Sequence, residues 1–421
     1  MTVSTQSSPA RTYYSFAILF VVGLLSYVDR SLLSVLQVPI KRELDLSDGQ
    51  IGALTGLAFA LVYSTAAIPL SRLVDRSSRR RVIALALLAW SLMTALSGFA
   101  TSFAMLVICR MGLALGESAC FPATLSLLSD MFKRNRRATA IAVIGMTAPL
   151  GTMIGMAAAG WLSEVSGWRT AFLWVGGLGI AIVPLALQLR EPKRGAQDES
   201  PPQADDLRSF KTGLWEIWNC RASRYLLIGH ALYSLAYCAM GTWSAPFYVR
   251  VFNMNLATVG LLIGTVFGIV GGGTALLSGW VADRLAGKTL TWYGLLPAIG
   301  ALGAVPVGLG QFLAPTATIS IFFAYFTTAL MHLFIAPMNA ALQTLTHPRS
   351  RGLVASLAGF LSSAVGYGLG PVGVGLMSDW LRTYMSEGDA LRYALSLVLV
   401  GSLLGGISFL RACHYLRGKP A

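Results

Sequence analysis

Twelve apolar runs, each bounded by charged or turn residues, follow one another along the chain. Six lie near residues 13–36, 48–71, 82–101, 103–129, 138–162 and 170–189, and six near 224–249, 256–281, 290–312, 315–345, 352–378 and 391–415. A helix that crosses the hydrocarbon core needs about 20 apolar residues, so each run is long enough for one span. The pattern predicts an all-α membrane protein with twelve transmembrane helices. Only Ala314–Pro315 separates the ninth span from the tenth.

One polar segment divides the chain in the middle. Residues 190–221 combine prolines, mixed charge and low hydrophobicity, a composition that cannot sustain a packed core. Trp215 and Trp218 near its end are typical of an interfacial helix. We therefore expect an N-terminal six-helix bundle over 1–190, a cytoplasmic linker over 191–222 and a C-terminal six-helix bundle over 223–421.

Two internal sequence repeats indicate that the halves are related. The loop segment 71–76 matches 279–284 at an offset of 208 residues, and the glycine pattern of 151–164 matches 366–379 at an offset of 215. Equivalent helices therefore recur every six spans, as expected of two pseudo-symmetric bundles around a central cavity.

Composition and charge narrow the class of protein. The chain is 55% hydrophobic and 12% charged, about half the charged fraction of soluble domains, which excludes a soluble enzyme. With the N-terminus inside, inner segments carry 24 of the 32 Lys and Arg residues and outer segments six. This positive-inside bias predicts cytoplasmic termini, and it favours a membrane protein over a nucleic-acid partner for the net charge of +14. The short outer loops contain no Asn-x-Ser/Thr sequon, which favours a bacterial inner membrane.

Several motifs carry a family resemblance. Gly279-x-x-x-Asp283-Arg284 and its partner Asp75-Arg76-x-x-Arg79-Arg80-Arg81 resemble the loop signature of the major facilitator superfamily. Ser26-Tyr-Val-Asp29-Arg30, Arg110-Met-Gly-Leu-Ala-Leu-Gly-Glu117 and Arg190-Glu-Pro-Lys-Arg-Gly195 resemble its spinster branch. The resemblance implies a transporter of lysolipids such as sphingosine-1-phosphate or lysophospholipids. Organic-anion symporters of the same superfamily share a similar first span and the Gly116-Glu117 and Phe121-Pro122 pairs, and they remain the alternative.

Four charged residues fall well inside predicted spans: Asp29, Arg30, Arg110 and Glu117. A charge at this depth costs about 2.5–3.5 kcal/mol on insertion scales, so such groups usually mark ion or substrate paths. Arg110 and Glu117 are seven residues apart and share one helix face. The superfamily's arrangement implies that the first and fourth helices both line the pathway. We therefore predict that Asp29 and Glu117 couple to protons and that Arg110 and Arg30 hold the substrate headgroup, with a structural salt-bridge set as the alternative.

The second half has no matching carboxylates in its spans. Its candidate cavity residues are polar or aromatic and are surrounded by apolar positions: Tyr237, Trp243, His332, Asn339, Gln343 and Tyr367. This asymmetry suits an amphiphile whose headgroup meets the charged half and whose tail follows the apolar half. Packing or interfacial anchoring is the other interpretation of the individual aromatics.

The signature loops predict a cytoplasmic gate formed by Asp75, Arg76, Arg137, Asp283 and Arg284. Asp75 would face the positive N-terminus of the eleventh helix and pair with Arg137. Solvated loop charge is the alternative for both acids.

No nucleophile, base and metal constellation emerges, so we expect neither enzymatic activity nor a metal, and the five cysteines show no disulfide or metal spacing. No cofactor is expected; the expected partners are membrane lipids, protons and a small amphiphilic or anionic substrate, bound by a monomer. A non-transporting receptor or a membrane-embedded enzyme is the second class left open.

Overall fold

The computed structural model describes residues 9–194, 210–287, 289–347 and 350–417. Within these ranges the regular elements are all helical. Several helices begin where a short polar side chain precedes an apolar run, since that side chain satisfies a free N–H of the first turn. Ser102, Asn255 and Thr316 each accept such a hydrogen bond, from Met105, Thr258 and Ile319 respectively.

The first half, residues 9–194, contains helices α1 to α6. Their bounds are α1 Pro9–Leu44; α2 Asp48–Gly52, Ala53–Leu57 and Ala58–Arg76; α3 Arg79–Ser97; α4 Phe103–Met131; α5 Arg134–Gly145 and Thr147–Ser166; and α6 Trp168–Ala186. The middle segment of α2 is a π-helical turn, in which the backbone carries one extra residue.

The second half, residues 210–417, begins with the short helix α7, Phe210–Asn219, and continues with six long helices. Their bounds are α8 Arg221–Phe252; α9 Leu256–Thr265, Val266–Gly271 and Gly272–Ala286; α10 Trp292–Phe312; α11 Ala317–His332 and Ile335–Leu345; α12 Arg351–Leu361, Ser362–Leu369 and Gly370–Leu381; and α13 Glu387–Leu416. The middle segments of α9 and α12 are π-helical. The tryptophans of α7 are exposed and its Ile217 is buried, as an interfacial helix requires.

Eleven helices in the described ranges are long and apolar enough to cross a membrane. The one predicted span that is not among these eleven helices is α8, the seventh predicted span in chain order. Its 32 residues reach about 48 Å, longer than the hydrocarbon core. Because α8 packs along α13 and α12, its polar residues are buried against protein rather than lipid. The break between α10 and α11 lies at the predicted Ala314–Pro315 boundary.

Helices pack mainly within each half and meet across the centre along two seams. In the first half α3 packs on α4 and α6, and in the second half α8 and α10 pack on α13. Across the centre, α5 packs on α9 and α2 on α12. The matching sequence segments relate α2 to α9 and α5 to α12. The predicted pseudo-symmetry therefore exchanges the two seams with each other.

The seams bring helix backbones unusually close. A Cβ atom added at Gly260 of α9 would lie 2.3 Å from the Met156 carbonyl oxygen of α5. One added at Gly56 of α2 would lie 2.2 Å from the Tyr367 carbonyl oxygen of α12. Only glycine permits this approach, so these positions set the spacing between the halves.

Both described chain ends lie at the same end of the bundle, here called the termini face. The backbone N–H of Arg190, just after α6, donates to the Ser15 hydroxyl near the start of α1. At the other end, here called the opposite face, Lys41 near the end of α1 pairs with Glu387 at the start of α13. The two ends of the molecule can therefore be distinguished without reference to a membrane.

Candidate functional site: a central cavity between two charged ends

A cavity of about 470 Å³ lies between the two halves. It is lined by α1 and α5 of the first half and by α8, α9, α11 and α12 of the second. Most of the surface that lines the cavity is apolar, and Arg30 is the one formally charged side chain among the described residues that line it. The cavity therefore combines an apolar wall with a single cation.

Arg30 is held from behind while part of it faces the cavity. Its Nε donates to Glu117 Oε2 at 2.6 Å, and 30% of its side chain is exposed. The guanidinium carbon lies 4.8 Å from the ring centre of Phe59 and 4.9 Å from that of Tyr63, both on α2. Aromatic rings at these distances stabilise a cation. The carboxylate and the rings thus position Arg30 at the cavity wall.

The other three charged residues predicted from the sequence are buried behind Arg30. Asp29, Arg110 and Glu117 are 2%, 4% and 2% exposed. Asp29 and Glu117 both lie within electrostatic range of Arg110. Several polar atoms in this group have no hydrogen-bond partner among the described residues, including one carboxyl oxygen of each acid and the Nε of Arg110. The four predicted residues therefore form one cluster, and Arg30 is its member on the cavity.

Three of the six candidates in the second half line the cavity. Tyr237, His332 and Tyr367 do so from α8, α11 and α12. The Tyr237 hydroxyl lies 3.0 Å from His332 Nε2, and His332 Nδ1 lies 2.8 Å from the Thr328 carbonyl oxygen. This side of the cavity carries hydrogen-bonding groups without formal charge.

The other three candidates lie elsewhere. Trp243 is fully buried, and its indole N–H donates to the Pro371 carbonyl at 3.0 Å, which ties α8 to α12. The Asn339 amide donates to the Ile335 carbonyl of its own helix. Gln343 is exposed, and its backbone carbonyl accepts a hydrogen bond from the Arg351 side chain.

At the termini face, three of the predicted gate residues make contacts inside their own half. Arg137 donates to the Ser129 carbonyl. The Tyr293 hydroxyl donates to Asp283 at 3.4 Å, and the Arg284 guanidinium lies over the Trp280 ring. Arg76 is exposed, and the Asp75 side chain lies outside the described part of the structure.

A buried group at this face, here called the brace, is built from Arg79, Asp130 and Glu191. Arg79 of the signature loop is 1% exposed and forms an ion pair with Asp130 of α4. Glu191, after α6, accepts hydrogen bonds from the Ser78 hydroxyl and from the Arg79 backbone N–H. Burial of this carboxyl opposes its charge, but those two hydrogen bonds and the Arg79 charge outweigh it and lower the pKa of Glu191. The brace joins α3, α4 and the end of α6.

At the opposite face a charged group links the two halves. We call Lys41, Asp48, Arg250 and Glu387 the latch. Asp48, from the first half, is fully buried. Its Oδ1 lies 2.6 Å from Lys41 Nζ of the same half and 2.8 Å from Arg250 Nη1 of the second half. Lys41 Nζ also lies 2.6 Å from Glu387 of the second half.

Two residues of α12 complete the contact around the latch. The Ser378 hydroxyl donates to Asp48 Oδ2 at 2.7 Å. The backbone N–H groups of Asp48 and Gly49 donate to the Asp379 carboxylate at 2.9 and 2.7 Å. The start of α2 is therefore bound to the second half by both charge and backbone hydrogen bonds.

Sequence reasoning missed the latch. The charges of the outer segments indicate the orientation of the chain but not which of them pair. The available signal was the presence of acids and bases at the ends of α1, α8 and α12 and at the starts of α2 and α13. Their pairing requires knowing that these ends converge. Within the described ranges no group of three or more His, Cys, Asp or Glu side chains is arranged to hold a metal ion.

The fold and cavity are those of a membrane transporter built from two six-helix halves. The Major Facilitator Superfamily model matches residues 19–371, and the chain belongs to this family. An MFS-type efflux pump of Mycolicibacterium smegmatis is 32% identical over 97% of this chain and 94% of its own length.

Two relatives have different named cargo. The sphingosine-1-phosphate transporter SPNS2 of Danio rerio is 26% identical over 92% of this chain and 81% of its own length. The D-galactonate transporter of Escherichia coli is 24% identical over 93% of this chain and 94% of its own length. Among solved structures, a bacterial homologue of the human lysosomal transporter spinster, inward-facing and unoccupied, superposes with a TM-score of 0.90 at 24% identity, covering 99% of this chain and 100% of that one. The predicted fold class and the spinster-like transporter resemblance are confirmed.

Proposed function

We propose that this chain is a proton-coupled secondary transporter that works by alternating access and moves a lysolipid, such as sphingosine-1-phosphate or a lysophospholipid. The observation that carries this proposal is the central cavity, whose mainly apolar lining contains one cation that is ion-paired to a buried carboxylate. An apolar pocket with few, well-placed polar groups suits a ligand with an apolar body and one charged end.

Small organic anions are the alternative cargo, and the similarity to the D-galactonate transporter favours them. A sugar acid exposes hydroxyl groups over its whole surface, and burying these without partners is costly. Apolar groups such as those of Phe267, Met156 and Leu276 make up most of the surface of the cavity, and they would leave part of a sugar acid's hydroxyl groups without partners. The apolar wall therefore favours an amphiphile.

The contacts between the halves support an alternating-access cycle. The latch and the α2–α12 contacts close the opposite face in this structure. At the termini face, Arg137 contacts Ser129 and Asp283 contacts Tyr293, and each of these contacts lies inside one half. We infer that the termini face is cytoplasmic, in a bacterial inner membrane, because of the positive charge on its loops. We infer that the predicted gate of Asp75, Arg76, Arg137, Asp283 and Arg284 joins the halves at this face in the state in which the opposite face is open.

Coupling to protons follows from the Arg30–Glu117 pair. An anionic headgroup entering the cavity competes with Glu117 for the partly exposed Arg30. Glu117 would then lose its ion pair with Arg30 and keep only the weaker attraction of Arg110, which is unfavourable for a buried charge, and a proton neutralises it. Asp29, beside Arg110, provides a second carboxylate for the same exchange. Substrate binding and protonation are thereby linked through Arg30.

Transport into proteoliposomes tests this proposal. We expect the purified chain to take up or release labelled lysophosphatidate in response to a pH gradient, and small organic acids such as D-galactonate much less. Glu117→Gln should abolish the response to the gradient while leaving downhill exchange, because the neutral amide imitates the protonated acid. Asp29→Asn should weaken the response.

Two controls make the test specific. Arg30→Gln should reduce binding of lysophosphatidate far more than binding of an uncharged monoacylglycerol with the same tail, whereas an equal loss would indicate a structural role. Asp45→Asn removes an exposed carboxylate at the opposite face and should leave transport unchanged. Gradient-driven transport that survives both Asp29→Asn and Glu117→Gln would contradict the coupling assignment, and preference for D-galactonate would contradict the lysolipid assignment.

A further inference from the structure

The hydrogen-bond roles of Tyr237 and His332 follow from their partners. His332 Nδ1 lies 2.8 Å from the Thr328 carbonyl oxygen, which only accepts, so Nδ1 carries the proton. In the neutral ring Nε2 is then an acceptor, and the Tyr237 hydroxyl, 3.0 Å away, donates to it. The single proton of Tyr237 is therefore committed to His332, and its oxygen is left with lone pairs.

The surroundings hold this pair in place at the cavity. A Cβ added at Gly271, the last residue of the π-helical turn of α9, would lie 2.7 Å from the His332 ring, so the absent side chain makes room for the imidazole. Tyr237 and His332 both line the cavity. Because both residues line the cavity, the Tyr237 oxygen can serve there as a hydrogen-bond acceptor on a surface that is mainly apolar.

A tyrosine one turn earlier on α8 shows the contrasting case. Tyr233 is fully buried, and its hydroxyl donates to the Met331 carbonyl at 2.8 Å. It does not belong to the cavity lining. Tyr233 therefore ties α8 to α11, whereas Tyr237 is partly exposed and bonds to a side chain that shares its cavity.

The geometry points to a second subsite, in which the Tyr237 oxygen, oriented by His332, accepts a hydrogen bond from a donor on the substrate. Arg30 on the facing half is a donor only, so the two walls demand complementary groups. The ligand must carry an anionic group for Arg30 and a hydroxyl or ammonium donor for Tyr237. For a lysolipid, the free hydroxyl left by the missing acyl chain meets this requirement, and the subsite selects lysolipids over lipids without it.

This inference rests on the proposed function for its substrate class, and its test separates the two. Binding of four probes to the purified full-length chain is measured by titration: 1-oleoyl lysophosphatidate, its 2-deoxy analogue, D-gluconate and 2-deoxy-D-gluconate. Within each pair the anion and the apolar part are the same, and only a hydroxyl donor differs. We expect the wild type to bind lysophosphatidate about tenfold more tightly than its 2-deoxy analogue, because one hydrogen bond is lost.

The Tyr237→Phe variant should bind both lysophosphatidate probes with the affinity that the wild type shows for the 2-deoxy analogue. Tyr233→Phe is the matched control, because it removes a hydroxyl from the same helix away from the cavity, and it should keep the tenfold preference. Equal binding of the two probes by the wild type would overturn the subsite. The subsite would also be overturned if Tyr237→Phe lowered the affinity for both probes by the same factor, because an equal loss indicates a packing role.

The gluconate pair distinguishes failure of the proposed function. If neither lysophosphatidate probe binds but D-gluconate binds more tightly than its deoxy analogue, and Tyr237→Phe removes that difference, the lysolipid assignment is wrong and the acceptor subsite stands. If none of the four probes binds the wild type, both proposals are overturned.

Discussion

The two arginines at membrane depth in the first half have different surroundings and differ in their access to the cavity. Arg30 has an ion-pair partner, three neighbouring rings and access to the cavity. Arg110 is 4% exposed, and its Nε and Nη1 have no hydrogen-bond partner among the described residues. Arg30 is therefore accessible from the cavity, whereas Arg110 does not belong to the lining and lies within electrostatic range of Asp29 and Glu117.

At the brace, the lowered pKa of Glu191 predicts how stability changes with pH. A carboxyl with a lowered folded-state pKa stabilises the fold above its unfolded value and loses that contribution as pH falls through the folded value. We expect Glu191→Gln to lower the unfolding temperature in detergent at pH 7, with the difference from wild type shrinking as pH falls below about 4.3. Asp45→Asn, which removes an exposed carboxylate outside the brace, is the control and should leave the unfolding temperature at pH 7 unchanged. A constant Glu191→Gln difference from pH 7 to pH 3 would contradict the prediction.

Helical geometry explains which site residues the sequence could place. The charged cluster followed from four ionisable residues inside apolar runs and from the seven-residue spacing of Arg110 and Glu117. Which of the adjacent Asp29 and Arg30 faces the cavity depends on the rotation of α1, since neighbours differ by about 100°. Trp243 lies six residues after Tyr237, a rotation of about 240°, so the two point to different sides of α8.

At the scale of whole helices, the three π-helical turns in the described ranges all lie in helices of the two central seams. They fall in α2, α9 and α12, at Ala53–Leu57, Val266–Gly271 and Ser362–Leu369. A π-turn shifts the helix face by one residue, which a pattern of constant period does not reveal. The sequence therefore predicted the helices and their order but not the close contacts along the seams.

The α5–α9 seam yields a prediction with a matched control on one helix. Gly260→Ala places a Cβ 2.3 Å from the Met156 carbonyl oxygen, so the two backbones must separate. We expect the free energy of unfolding to fall by about 1–3 kcal/mol, as for other overpacked contacts, measured by thermal denaturation in detergent. Gly273→Ala is the control, since its Cβ would meet no atom within 4 Å. Equal stability of the two variants would show that the seam is not tightly constrained.

For the molecule as a whole, the two ends differ in what holds them. The latch and Asp379 join the halves at the opposite face. At the termini face the brace joins helices of the first half only. The sequence places acids and bases at both ends of the molecule. Whether such residues join the two halves depends on which helix ends converge. That convergence arises from tertiary packing, so the sequence predicted the twelve-helix architecture but not the face at which it is closed.

The latch should therefore bias the equilibrium between the two open states. Asp48→Asn removes the carboxylate that both Lys41 and Arg250 contact, leaving two largely buried cations without it. Since breaking a buried pair costs about 3–5 kcal/mol, the loss suffices to shift a two-state equilibrium roughly a hundredfold or more toward opening of the opposite face. Spin labels at residues 45 and 384, on exposed positions of the two halves, would report this as a longer distance.

The measurement uses a chain whose five native cysteines have been replaced, and it has a control at the same face. Glu43 pairs with Arg169 and accepts a hydrogen bond from Trp168, all within the first half. Glu43→Gln removes a comparable charge without touching a contact between the halves, so the distance between residues 45 and 384 should not change. If Asp48→Asn leaves that distance as short as Glu43→Gln does, the helix seams alone hold the opposite face closed, because the charges of the latch contribute nothing to its closure.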